Sequence, residues 1–197
     1  MIDSPPRTTD RRTVRTVAAI ESAVRDALRE VPLDDLTVSE VCRRAKVGRP
    51  SFYTHFESIA ELVAQMLTVE IDEMLPIPDV ENVATDLLEP ALTDNLAAAL
   101  ELVARDRPLY RSMFSSASSG VLRGALESAI AVRVRNIILI WQDRGLVDAV
   151  DLAVAVPFAT GGITRAIEAW AFDDATDAAA RSSAIRDQMP RWWPFPS

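Results

Sequence analysis

The sequence predicts an all-α protein, and three observations predict it. Apolar residues recur at three- and four-residue spacing along most of the 197 residues. No run alternates apolar and polar residues as a half-buried strand would. Helix-ending residues punctuate the periodic runs, at Pro32, Gly48, Pro76, Pro78 and Gly145. A composition of 49% hydrophobic and 25% charged residues belongs to a globular chain, neither disordered nor fibrous. The length suits one domain, or a small module fused to a medium one.

From the N-terminus, residues 13–30 form the first helix, with Val17, Ile20, Val24, Ala27 and Leu28 on one face and Pro32 ending it. Thr37-Val-Ser-Glu40 is a capping-box pattern, in which Thr37 caps a short second helix and Glu40 reaches back. Val38, Val41, Cys42 and Ala45 make its apolar face. Lys46-Val47-Gly48 is a tight connection, and a third helix starts at Arg49-Pro50, where proline is tolerated in the first turn. Phe52 and Phe56, four apart, face inward, while Arg49 and Tyr53 share another side. Ser58 caps a fourth helix from Ile59 to about Leu75.

Two short helices joined by a tight turn and braced by a longer one make a helix-turn-helix, whose second helix fits the DNA major groove. Taken alone, the overall charge of −8 argues against such a partner, but its distribution does not. Residues 1–58 carry net +1 and residues 59–197 net −9, and Val41–Phe56 holds Arg43, Arg44, Lys46 and Arg49 with no acid. Arg49 suits guanine edges or phosphate, Pro50 a thymine methyl, and Tyr53 and His55 phosphate oxygens.

The run from Thr37 to Ser58, and above all Val47-Gly48 through Phe52-Tyr53 to His55-Phe56, resembles the DNA-binding signature of the TetR family of bacterial transcriptional regulators. The resemblance spans about residues 13–67. It implies an all-helical homodimer, with a head at 1–58 that binds double-stranded operator DNA. A body at 59–197, entered by the helix from Ile59, would bind a small-molecule effector and dimerise. Carried over by position, DNA contacts are expected from Thr37, Arg49, Pro50, Ser51, Tyr53 and His55, and Lys46 and Thr54 are expected to join them. One position departs from the pattern. Ile59 stands where the family often has a phosphate-contacting lysine, a loss that Lys46 or the leading arginines Arg7, Arg11 and Arg12 would have to offset.

In the body, helices are expected over 80–104, from Pro108, over 121–144 and over 149–172, with a loop at 115–120 and Pro157 kinking the last helix. Ile137 to Trp141 is apolar all round and must be covered on more than one side. With the small-residue strip of Gly161 and Gly162 beside Ile163 and Trp170, it suggests a dimer interface carrying Trp141, Gly161, Gly162, Ile163 and Trp170. Met66, Met74, Tyr110, Met113 and Phe114 suggest a pocket for an apolar or aromatic effector. The tail around Trp192 and Trp193 is expected to dock on the protein's own surface.

A single histidine and a single cysteine exclude a His-based or multi-thiolate metal site within one chain, and no cofactor is expected. Cys42, on an apolar helix face, reads as a buried thiol. No signal peptide opens the sequence and no apolar run is long enough for a span, so the expected place is the cytoplasm, with no membrane partner. No phosphate-cradling glycine loop or catalytic triad pattern supports a helical enzyme. A protein-binding adaptor that has lost DNA finds its one advocate in Ile59. The expected function is therefore a repressor released from a palindromic operator by its effector.

Overall fold

The computed structural model describes residues 8–74, 85–190 and 192–193, and side chains within 12–73, 92–190 and 192–193. Among the described residues the structure is helical throughout, with no strand. The first four helices are α1 (Thr8–Ala27), α2 (Val38–Ala45), α3 (Arg49–Tyr53) and α4 (Ile59–Met74). The body adds α5 (Thr85–Arg105), α6 (Arg107–Ser115), α7 (Ser119–Asp143), α8 (Leu152–Phe172) and α9 (Ala178–Arg186).

The head forms around the apolar face read from the sequence. Ile20, Val24 and Ala27 of α1 are fully buried, with Val41 of α2 and Phe52 of α3. Phe56 is buried beside Phe52, their ring centroids 5.7 Å apart. Thr37 caps α2 by accepting from the Glu40 backbone N–H at 3.2 Å, and Ser58 caps α4 by accepting from that of Glu61 at 3.1 Å. The expected reciprocal half of the first capping box is replaced: the Glu40 carboxylate turns to Arg43 and Arg44. Two guanidinium partners supply charge-assisted hydrogen bonds that a lone backbone N–H cannot match.

Two helices end in the same way with different residues. After α7, Gly145 adopts φ +66°, its N–H reaching the Gln142 carbonyl at 3.0 Å and that of Leu146 the Trp141 carbonyl at 2.8 Å. This is the Schellman arrangement, which favours glycine at the left-handed position. After α2 the same two bonds run from Lys46 to Arg43 (3.4 Å) and from Val47 to Cys42 (3.0 Å), but the left-handed residue is Lys46, at φ 55°. The neighbouring Gly48 has an ordinary extended backbone and serves as the N-cap of α3.

In the body, α4 packs on α7, α7 on α8, and α5 between α8 and α9. Arg123 of α7 meets Glu168 of α8 across the connection at 144–151, so these two helices run antiparallel. The carboxylate of Glu168, 9% exposed, accepts from Arg123 Nε at 2.9 Å and Nη2 at 2.8 Å, and also from Arg165. Pro157 lies inside α8. The helix α9 has no counterpart in the sequence reading. Asp177 caps it by accepting from the Ala180 N–H at 2.9 Å. It buries only the small residues Ala178 and Ser182, which leave no large apolar stripe to detect. Residues 75–84, where the sequence suggests a linker and the start of a helix at 80, lie outside the described residues.

Candidate nucleic-acid interface and effector pocket

The short helix α3 is anchored from below and presented above. Phe52 is fully buried, while Tyr53 is 52% exposed with its ring edge-on to Phe52 at 5.5 Å. Arg49 and Pro50 are exposed, Ser51 and His55 are half-buried, and the His55 ring leans on Phe56 at 6.2 Å. Lys46 and Thr37 are exposed on the approach to α3. Thr54 is exposed, but its hydroxyl donates to the Pro50 carbonyl at 2.9 Å, so it has no proton left for a phosphate oxygen. Thr37 differs: its oxygen accepts the capping N–H, and its own proton stays available. Ile59 is buried in the core, so the position that departs from the family pattern now serves packing.

The positive charge is narrower than the window 41–56 suggests. Glu40, one residue before that window, accepts from Arg43 Nε at 2.9 Å and Nη2 at 2.7 Å and from Arg44 Nε at 2.7 Å. Arg44 also donates to Glu30 at 2.7 Å. Hydrogen bonds from Arg43 and then Arg44 hold the Glu40 carboxyl down at about 2, and the bond from Arg44 likewise lowers Glu30. Two carboxylates thus balance two guanidinium groups, which leaves Lys46 and Arg49 as the positive charge of the 41–56 run. Arg12 and Arg15 are exposed on α1, whereas Arg7 and the side chain of Arg11 lie outside the described residues. Cys42 is buried, and burial raises its thiol pKa, as suits an inert core residue.

A sequence profile of the bacterial regulatory proteins of the tetR family matches residues 20–66. The match runs from α1 into α4, and over that segment the chain is similar to this family. No curated protein matches the sequence significantly. Several solved structures share the fold of this chain at low identity. The resorcinol complex of RolR is 20% identical, with a TM-score of 0.60, over 89% of this chain and 87% of that one. FadR from Bacillus subtilis with stearoyl-CoA is 15% identical, with a TM-score of 0.59, over 87% and 94%. NalD, the secondary repressor of the MexAB-OprM multidrug efflux pump in Pseudomonas aeruginosa, is 16% identical, with a TM-score of 0.58, over 89% and 94%. The chain thus shares the fold of these regulators, and no helix among the described residues is long and apolar enough to cross a membrane.

The expected effector residues fare unequally. Met66, Tyr110 and Met113 line one cavity of about 20 Å³, together with Arg25 and Glu70, which the sequence reading did not name. Phe114 is buried beside Tyr110, ring centroids 6.5 Å apart, behind the cavity and not on it. The side chain of Met74 lies outside the described residues. Around this cavity the head is tied to the body: the Leu33 N–H donates to Ser112 Oγ at 3.1 Å, and the Ala117 N–H to both Asp34 oxygens at 3.0 Å.

The expected dimer residues divide between the interior of the chain and its surface. Trp141 and Trp170 are fully buried within the chain. Trp170 donates Nε1–H to the Leu100 carbonyl at 2.8 Å, with Arg107 and Arg181 over its ring at 4.9 and 5.1 Å. Trp141 meets the tail residue Trp193 edge-on at 4.6 Å, so the tail docks on its own chain as expected. Ile163 lines a second cavity, of about 40 Å³, with residues of α5 and α9. Of the five, Gly162 is exposed and Gly161 and Ile163 are half-buried, with nothing within 4 Å of a Cβ built at either glycine. The outward apolar face is made instead by Val121, Val132 and Leu139 of α7 and by Val154, Phe158 and Phe172 of α8.

Proposed function

We propose that this chain is a cytoplasmic homodimeric repressor of the TetR family that binds a palindromic operator and leaves it when a small molecule binds the body. The division into a head at 1–58 and a body at 59–197 belongs to this reading. The observation that carries it is an anchored α3 that presents Arg49, Pro50 and Tyr53 outward within the segment matching the family profile. Arg49 would read base edges. Lys46, Tyr53, Thr37, Ser51 and His55 would hold phosphates, with Thr54 demoted by its bond to Pro50. Two such heads need half-sites about 34–36 Å apart, one DNA turn.

Dimerisation would use the outward face of α7 and α8. Phe158, 65% exposed, and Val154, 63% exposed, lie four residues apart on one face of α8, and adjoining exposed apolar residues suit an interaction surface. Placed in an isologous four-helix contact, they would face their own counterparts. Phe158→Glu should yield a monomer by analytical ultracentrifugation that stays folded and loses operator affinity. A dimer unchanged by this substitution would place the interface elsewhere.

The effector site would lie at the cavity of Met66, Tyr110 and Met113, close to the Leu33–Ser112 and Asp34–Ala117 links between head and body. Repression is proposed by likeness to NalD, a secondary repressor, and effector control by likeness to RolR with resorcinol and FadR with stearoyl-CoA. The clamp of Glu40 on two arginines favours a second reading, a protein-binding adaptor. Capture of genomic fragments by the purified protein separates the two. Recovery of a recurring inverted repeat supports the regulator, and recovery of no sequence preference supports the adaptor.

A further inference from the structure

Tyr110 is the feature of the body that its packing leaves incomplete. Its side chain is 4% exposed, and its hydroxyl has no hydrogen-bond partner in the structure. Buried donors almost always have partners, and the exceptions ask for an explanation. Tyr110 lines the junction cavity with Met66, Met113, Arg25 and Glu70, so three helices, α1, α4 and α6, converge on it. Arg25 and Glu70 face each other there at 3.6 Å, beyond hydrogen-bond length, and remain partly solvated.

The chemistry of these groups selects a ligand class. Arg25 and Glu70 offset each other's charge, so the site has no net charge to hold either an anion or a cation. A hydrocarbon would leave the Tyr110 donor unsatisfied. A neutral hydroxyl can accept from Tyr110 Oη–H and donate to the Glu70 carboxylate, which leaves the ion pair intact. The remaining walls, the thioethers of Met66 and Met113 among them, suit an aromatic ring. As it stands the cavity of about 20 Å³ holds no more than one water. Met66 and Met113 each have three rotatable side-chain bonds, the kind of wall that yields to a ring.

We propose that this junction is a binding site for a small neutral phenol, with Tyr110 as hydrogen-bond donor and Glu70 as acceptor. Because Arg25 belongs to the head and Ser112, next to this site on α6, accepts from Leu33 of the head, an occupant separates α6 from α1. Only this last link, from binding to DNA release, rests on the effector reading given above.

The test is fluorine-19 NMR titration of the full chain with 4-fluorophenol, 4-fluorotoluene and 4-fluorobenzoate. The expected result is 4-fluorophenol binding about tenfold or more tightly than either of the others, the difference one hydrogen bond makes. Tyr110→Phe should abolish that preference and leave 4-fluorotoluene binding unchanged. The ligand-free variant should melt no lower than the wild type, since it removes an unsatisfied group. Glu70→Gln, on the partly exposed side of the site, should weaken 4-fluorophenol alone. Equal binding of the phenol and the toluene, or a preference that survives Tyr110→Phe, overturns the proposal. So does a lower melting temperature for ligand-free Tyr110→Phe, which would show that a structural water already satisfies the hydroxyl. Operator affinity measured on the same samples separates the two readings. Phenol binding that depends on Tyr110 but leaves operator affinity unchanged supports the site and refutes effector control. Release by other compounds without phenol binding refutes the site alone.

Discussion

Lys46 occupies the left-handed position at the end of α2, φ 55°, in the arrangement that Gly145 completes at the end of α7. The chain therefore holds its own control. A residue with a Cβ pays roughly 1–2 kcal/mol in that backbone region. Glycine avoids this but gives up about 0.5–1 kcal/mol of unfolded-state entropy. Lys46→Gly should then stabilise the protein by about 0.5–1 kcal/mol net. In a protein of this length that is a rise in Tm of about 1–4 °C, read by circular dichroism at fixed protein concentration. The same substitution removes an exposed cation on the approach to α3. If each Lys46 neutralises one phosphate, the slope of log K against log salt should flatten by about 0.9 per head, roughly 1.8 per dimer. Stability and DNA binding should therefore move in opposite directions. A fall in Tm would refute the backbone argument, and an unchanged salt slope would remove Lys46 from the phosphate contacts.

Two further predictions concern ion pairs. Glu40→Gln should free Arg43 while Glu30 still holds Arg44, tightening binding to all DNA sequences and steepening its salt dependence in anisotropy titrations. Since the Glu40 carboxyl is held at about 2, its ionised form stabilises the head at and above ordinary carboxylate pKa values. That contribution should disappear as pH falls from about 4.5 toward 2, with none of it lost between pH 5 and 8, in denaturation curves of wild type against Glu40→Gln. Glu168→Gln strands Arg123, whose side chain is 28% exposed. Breaking a buried pair costs about 3–5 kcal/mol, and the residual hydration of Arg123 reduces this to about 2 kcal/mol. The expected fall in Tm is about 4–8 °C, and an unchanged Tm would mean the pair contributes nothing.

What the sequence made legible, and what it hid, follows from how far apart the cooperating residues lie. The head could be read because its determinants are local: Thr37, Phe52 and Phe56 act within a few residues of one another, and their spacing fixes both the caps and the buried face. Glu40 escaped because charge was summed over a window that began one residue later, whereas a helix brings residues three and four apart together. The junction cavity could be only half seen. Met66, Tyr110 and Met113 advertise themselves as apolar, but Arg25 and Glu70 look like ordinary solvated charges until three helices converge. Trp141 and Trp170 are ambiguous in the sequence for the opposite reason. A large apolar residue must be covered, and sequence does not say whether its own chain or a second copy covers it. Here α5, α9 and the tail approach from within, and the exposed stripe falls to Phe158 and its neighbours.

The central claim is that α3 reads DNA. Its most direct test is fluorescence anisotropy of a captured genomic duplex, titrated with wild type and Arg49→Ala between 50 and 200 mM salt. With Lys46 on a phosphate in each of two heads, the wild type should show a log–log salt slope of at least about −1.8 and clear preference over a scrambled duplex. Arg49→Ala should lose most of that preference, a penalty of about 1–3 kcal/mol, while keeping its fold. Equal affinity of both proteins for both duplexes, at every salt concentration, would contradict the account.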